Sequence, residues 1–215
     1  MSKNALIVLH GERLQAAMLL PWLPGADHII AADGGANLLA DNSVSPDIVV
    51  GDLDGIDPSV LASMPEEQVL HVEDQNLTDC QKALRHADGL GATDIVVLGA
   101  EGTRIDHTLS ALYSVGMYQE RITIRFVFER LIAHCVGPGE RSFETRPDLL
   151  VSLLSSLPTR VRRAEGLEFS VDGLELRAGG RDGVSNRSTG GLVRLEVESG
   201  SLLVFIGRFE GDVSW

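Results

Sequence analysis

Residues 46–64 read PDIVVGDLDGIDPSVLASM. An apolar run ends at Gly51, two aspartates follow one residue apart, and Asp57-Pro58 then opens a helical pattern. Asp is a favoured helix N-cap and Pro a favoured first helical residue. A strand, a turn and a helix in so short a span is the repeating unit of an α/β layered domain.

Working outward, the same alternation recurs. ALIVLH (5–10) precedes RLQAAMLLPWL (13–23), and HIIAAD (28–33) precedes GANLLAD (35–41). QVLHVE (68–73) precedes TDCQKALRHADG (78–89), and DIVVLG (94–99) precedes DHTLSALYSVGMYQE (106–120). Strands alternating with helices predict a mostly parallel sheet that takes ligands at the carboxyl ends of its strands. After ITIRFVFE (122–129) and LIAHCV (131–136) the texture changes at GPGE (137–140). From there the chain offers only short strand-like runs between glycine turns: LLVSLL (149–154), RVRRA (160–164), LEFSV (167–171), LELRAG (174–179), LVRLEVES (192–199) and SLLVFIGRF (201–209). The expected organisation is an α/β domain over 1–136 and a small all-β sandwich over 137–215.

The chain has 215 residues and a formal net charge of −13, which argues against nucleic acid and anionic membrane as partners, since both call for a basic face. Its lysines are Lys3 and Lys82, and no Gly-rich GK[ST] run exists, so a P-loop is excluded. ALIVLH is followed at once by Gly11 and Glu12, as a first strand would be and the apolar core of a signal peptide would not. No run approaches the roughly 20 apolar residues of a membrane span. Cys80 and Cys135 lack zinc spacing and are too few for a disulfide framework, so reduced thiols in a cytoplasmic protein are expected.

Three clusters carry chemistry. Asp52 and Asp54 follow a strand at spacing i, i+2; in extended backbone both project to one side, where two like charges repel unless a cation lies between them. A solvated acidic turn is the alternative, and Asp57 reads as a helix cap. In DQNLTDCQKAL (74–84), Thr78 and Gln81 match a capping box that places Asp79 in the first helical turn. That explains Asp79 structurally; the same helix start can also hold a phosphate, with Asp79 on its metal. In VVLGAEGTRIDHTLSAL (96–112), Arg104, Asp106 and His107 stand at a strand-to-helix junction suited to polyphosphate, although Asp106 can cap the helix and His107 can be structural. Asp33, Gly34 and Gly35 form one more strand-end loop, with glycines that let a ligand approach the backbone. Five aspartates gathered on one rim point to metal-assisted phosphate chemistry.

In order and spacing, ADGGAN (32–37), PDIVVGDLDG (46–55), DQNLTDCQKAL (74–84) and GTRIDHTL (102–109) resemble the successive motifs of the thiamin pyrophosphokinase family, and the tail from Gly166 resembles its C-terminal sandwich. The resemblance implies transfer of pyrophosphate from ATP to thiamin, with Asp52, Asp54 and Asp79 holding Mg²⁺ in place of a P-loop lysine. It places Asp33, Gly34, Gln75, Thr78, Arg104 and His107 around ATP, and Asp106 at the transferring group or the acceptor hydroxyl. It also implies that Ser185 and Asn186 contact thiamin, in a homodimer whose sites are shared across the interface. This sequence departs from the family pattern at Gly55, where serine is usual, at Ala111 and at Arg187. A pyrophosphokinase for a pterin-like alcohol, or a non-catalytic sensor of thiamin diphosphate or nucleotide, would use much of the same rim.

Overall fold

In a computed structural model the apolar runs of the first part become strands. The structure describes residues 3–11, 14–102, 104–118 and 121–208, without the side chain of Met117. Glu12, Arg13, Thr103, Gln119, Glu120 and Phe209, which belong to motifs and runs quoted above, lie outside the described residues. The chain divides into two compact units, one within Met1–Ser114 and Phe126–Glu129, the other within Val115–Arg125 and Arg130–Glu210. Strand β6 (Thr123–Val127) is divided between the two, and strand β7 (Leu131–Val136), which precedes the glycine-rich stretch, belongs to the second unit.

In the first unit β1 (Asn4–Val8), β2 (His28–Ala32), β3 (Ile48–Gly51), β4 (Val69–His71) and β5 (Asp94–Leu98) pair in the order β5-β1-β2-β3-β4, all parallel. Ala5–Val8 and Ile95–Leu98 are fully buried, as expected of strands covered on both faces. The helices are α1 (Ala16–Leu19), α2 (Gly35–Asp41), α3 (Pro58–Ser63), α4 (Asp79–Gly89) and α5 (Ile105–Ser114). Helix α4 packs on β2 and β3, and α2 on β1 and β2. Two expected helices are shorter than their patterns: α1 gives way to a 3₁₀ turn over Leu20–Gly25 that contains Pro21 and Pro24, and α5 ends before Gly116. Proline lacks the N–H an α-helix needs, and glycine favours helix ends.

The second unit contains two antiparallel sheets. One runs β12 (Gly183–Arg187), β9 (Leu150–Leu154), β14 (Leu202–Gly207), β7; the other runs β11 (Glu175–Leu176), β10 (Thr159–Glu165), β13 (Gly191–Ser199), β8 (Gly139–Thr145). Strand β13 shows why they form a sandwich: Val193, Leu195 and Val197 are buried and alternate with exposed or half-buried Arg194 and Glu196. They join Val136, Leu153, Val161, Val204 and others in one apolar core. Two strands escape the sequence reading. GERSFET (139–145) is polar because all of its residues but Phe143 and Thr145 are exposed, and GVSNR (183–187) carries a single apolar side chain. Conversely, LEFSV is a loop that joins the ladder only through a bridge from Leu167 to Ser188.

One half-buried titratable group sets an acid limit on this unit. Half-buried His134 of β7 packs its ring on Phe143 of β8, with centroids 4.9 Å apart. Burial, reinforced by the Arg125 charge, depresses its pKa from 6.5 to about 4. The unfolded chain thus takes up this proton first, so the stabilisation is complete above pH 6.5 and is lost as pH falls toward 4, by at most about 3 kcal/mol. His134→Leu is expected to flatten that part of the acid dependence, measured as urea stability at pH 7 and pH 4.5. Equal losses in variant and parent would overturn the assignment.

Candidate active site

Each strand of the first unit delivers a loop to the same edge of the sheet, and close packing of backbone there leaves little room for side chains. A Cβ on Gly35 would collide with the carbonyl of Val8, and one on Gly51 would lie 2.8 Å from Cβ of Asp33. The β2–α2 loop turns at Asp33, whose φ of 46° is left-handed. Its N–H donates to Val50 O at 2.9 Å and its carbonyl accepts from Ala36 N–H at 3.0 Å. The carboxylate is buried and accepts from Gly55 N–H, 3.0 Å to Oδ2. Gly55 cannot become serine without displacing this group, because a Cβ there would strike Asp33 Oδ2. Asn37, a positioning residue the sequence reading passed over, ties α2 to the same turn: its Nδ2 donates to Gly55 O at 2.9 Å and its Oδ1 accepts from Asp57 N–H at 2.9 Å.

Asp52 and Asp54 do converge, but not by strand alternation. The strand ends at Gly51, and Leu53 has φ 69°, a conformation that costs a residue with a side chain roughly 1 kcal/mol or more. This turn brings one carboxylate oxygen each of Asp33, Asp52 and Asp54 within 4.8 Å of one another. Asp33, expected near the nucleotide, is thus the third member of the group, and Asp79 is not in it. The set is all hard carboxylate oxygen, of mixed burial, which suits Mg²⁺ better than zinc or copper. Burial raises the pKa of Asp33, and the charges of Asp79, Asp54 and Asp52 raise it further against a backbone hydrogen bond from Gly34. A cation between these groups would relieve that repulsion.

Asp79 instead holds a lysine. Lys82 lies one helical turn further along α4, its side chain only 2% exposed, with Nζ 3.0 Å from Asp79 Oδ1 and 3.6 Å from Asp52 Oδ2. Burial pushes its pKa down, but Asp79 and Asp52 outweigh that and raise it, so it is cationic. These carboxylates therefore have a fixed positive charge beside them, which the sequence reading did not single out. The only sequence signal was the rarity of lysine in an apolar helical frame. For Asp52, burial pushes the pKa up, and the Gln75 hydrogen bond and Lys82 together bring it below the usual carboxylate range. Gln75 Nε2 donates to Asp52 Oδ2 at 3.2 Å. Thr78 caps α4 as expected, with Gln81 closing the capping box. Asp57 caps α3, accepting from Ser59 N–H at 2.7 Å.

At the head of α5, Arg104 grips Asp106 through two contacts, Nη2–Oδ2 at 2.7 Å and Nε–Oδ1 at 3.0 Å. That hydrogen bond holds the exposed Asp106 at a pKa of about 2, which makes it a weak base. His107 is exposed, and its N–H donates to Arg104 O at 3.1 Å. In the second unit Asn186 is buried, and its side chain serves a loop: Oδ1 accepts from Phe169 N–H at 3.0 Å and Nδ2 donates to Phe169 O at 2.6 Å. Phe169 is thereby held 62% exposed, an aromatic the sequence reading did not single out. Exposed Ser185 has φ 61° and donates its N–H to Ser152 Oγ at 3.0 Å. Arg187 finds a local partner in Asp148, 3.0 Å away.

The chain is similar in sequence and in fold to known proteins. A family model described as thiamin pyrophosphokinase, catalytic domain, matches residues 22–126. The chain is 27% identical over 202 residues to thiamin pyrophosphokinase 1 of Caenorhabditis elegans, covering 87% of this chain and 82% of the relative. It is 27% identical over 224 residues to thiamine pyrophosphokinase 1 of Oryza sativa subsp. japonica, covering 90% and 83%. The fold matches the crystal structure of thiamine pyrophosphokinase from Bacillus subtilis with a TM-score of 0.81 at 20% identity, over 98% of this chain and 100% of that one.

Proposed function

We propose that the chain belongs to the thiamin pyrophosphokinase family, whose catalytic-domain model matches residues 22–126, and that it transfers the pyrophosphoryl group of ATP to the hydroxyethyl oxygen of thiamin, giving thiamin diphosphate and AMP. The family supplies thiamin as acceptor. The observation that supports the phosphate half is the group Asp33, Asp52 and Asp54 beside buried Lys82 at the carboxyl edge of a parallel sheet. The hydroxyl oxygen bonds to the β-phosphorus, the bond from that phosphorus to the oxygen bridging to the α-phosphorus breaks, and AMP leaves as the hydroxyl proton passes to solvent.

Asp33, Asp52 and Asp54 would hold Mg²⁺, which supplies neutralisation of phosphate charge and alignment of the β-phosphorus for attack. The protein's own task is orientation. Gln75 and Lys82 fix the Asp52 carboxylate, Gly55 N–H and Asn37 fix Asp33 and its turn, and Asp79 fixes Lys82. Arg104 keeps N–H donors beyond those given to Asp106 and would meet the nucleotide phosphates. His107 takes its place beside it. The second unit would receive the acceptor, with Ser185 at the thiamin and Asn186 acting through the loop that carries Phe169.

In solution the chain would be a homodimer. Ile105, Leu109 and Tyr113 support this, an exposed apolar stripe along α5 at 67%, 42% and 55% exposure. Light scattering at working concentration that gives the mass of one chain would refute it. Buried Cys80 and Cys135 form no disulfide, which fits a reducing cytoplasm, and no helix among the described residues is long and apolar enough to cross a membrane. The decisive experiment supplies ATP, Mg²⁺ and thiamin, with EDTA and no-thiamin controls, and quantifies AMP and thiamin diphosphate. Equal, metal-dependent amounts are expected. Bound ATP without either product would overturn the reading, and a parallel pterin alcohol would identify a different acceptor.

A further inference from the structure

We propose that His10 is a phosphate-binding residue of the nucleotide crevice, donating a hydrogen bond from its imidazole to the phosphate chain. This rests on the proposed use of ATP and adds a residue that lies outside all four sequence motifs. The strand order β5-β1-β2-β3-β4 changes direction between β1 and β5, and open α/β sheets take ligands outside the carboxyl ends at such a switch point. His10 is the second residue beyond β1, at the mouth of that crevice.

The backbone that presents it is fixed. Leu9 N–H donates to Leu98 O and Gly11 N–H to Leu9 O, both at 2.9 Å. Gly11 is packed so tightly on the β5–α5 loop that a Cβ would lie 2.6 Å from Glu101 O. The ring itself rests against the aspartate loop: a Cβ on Gly34 would lie 2.6 Å from His10 Cγ. An imidazole therefore borders the carboxylate group on its β1 side. It is exposed, and among the described residues it makes no hydrogen bond or ion pair despite three aspartates on the same rim. Both the neutral ring and its cation carry an N–H that can bond a phosphate oxygen. The neighbouring carboxylates assign that place to phosphates rather than to the base, because their cation belongs with the phosphates.

The test uses the full chain with Mg²⁺ and α,β-methylene-ATP, whose reactive bridge cannot be cleaved, and with AMP for comparison. His10→Ala is expected to weaken the analogue about tenfold and AMP less than twofold, the loss of one hydrogen bond to a charged group. His10→Asn, which keeps an N–H donor on a shorter side chain, should recover most of the difference. Unchanged analogue affinity in His10→Ala would overturn the proposal, and so would equal losses for AMP and the analogue, which would mean a loosened loop. Failure of the parent protein to bind the analogue would overturn the ATP reading together with this one; normal binding and AMP formation in parent and variants alike would overturn this one alone.

Discussion

Asp54→Asn should lower kcat/KM for AMP formation by about three orders of magnitude, roughly 4 kcal/mol of transition-state stabilisation, while the protein stays folded. Asp54 is exposed and makes no protein hydrogen bond among the described residues, so its carboxylate has no structural duty that asparagine would fail to meet. Its charge is another matter. One of its oxygens lies within 4.8 Å of the oxygens of both Asp33 and Asp52, a mutual repulsion that a bound cation would relieve. Removing one of the three charges should therefore leave metal-free stability unchanged or slightly higher, and weaken Mg²⁺ dependence and turnover together. Asp57→Asn, three residues on, is the matched control: it keeps the cap on α3 and should leave activity within about twofold. Turnover of Asp54→Asn within threefold of the parent at saturating Mg²⁺ would remove Asp54 from the metal site.

The sandwich and the parallel sheet were legible because burial leaves periodic marks. Runs such as DIVVLG read as buried strands before any contact is known, and Thr78 with Gln81 announces the start of α4 through local chemistry alone. Strand β8 was not legible, since a strand with nearly all of its residues facing water carries no apolar alternation. The site divides along the same line. Asp52 and Asp54 stand out as a pair, yet the reason they converge is the left-handed Leu53, and no residue type signals that conformation as glycine would. Asp33 and Lys82 belong to the group only through tertiary packing of β2 on β3 and of α4 over both. Asn186 has a structural use that its motif does not announce: its side chain, once placed, serves the backbone of Phe169.

Lys82→Met is expected to lower kcat/KM by a hundredfold or more, and the form of the loss separates electrostatics from packing. Methionine matches the lysine stem in length and apolar character, so α4 keeps its packing on β2 and β3 while the ammonium disappears. Asp79 and Asp52 then lose the charge that lies 3.0 and 3.6 Å away, and two carboxylates of different burial are left to repel each other and Asp33. Breaking a fully buried pair costs about 3–5 kcal/mol; here both carboxylates are partly solvated, so a cost of about 1–2 kcal/mol is expected, which a melting curve will show as a folded but less stable protein. Mg²⁺ affinity should stay level or rise, because the site is one unit more negative. Turnover should nonetheless fall, because Asp52 is no longer held and the transferring phosphates lose a fixed cation. Lys82→Arg, which restores charge with a bulkier, planar head, should recover stability more than rate. If Lys82→Met instead weakened Mg²⁺ binding and left kcat intact at saturating metal, the lysine would be a brace for the metal site and no part of the phosphate environment.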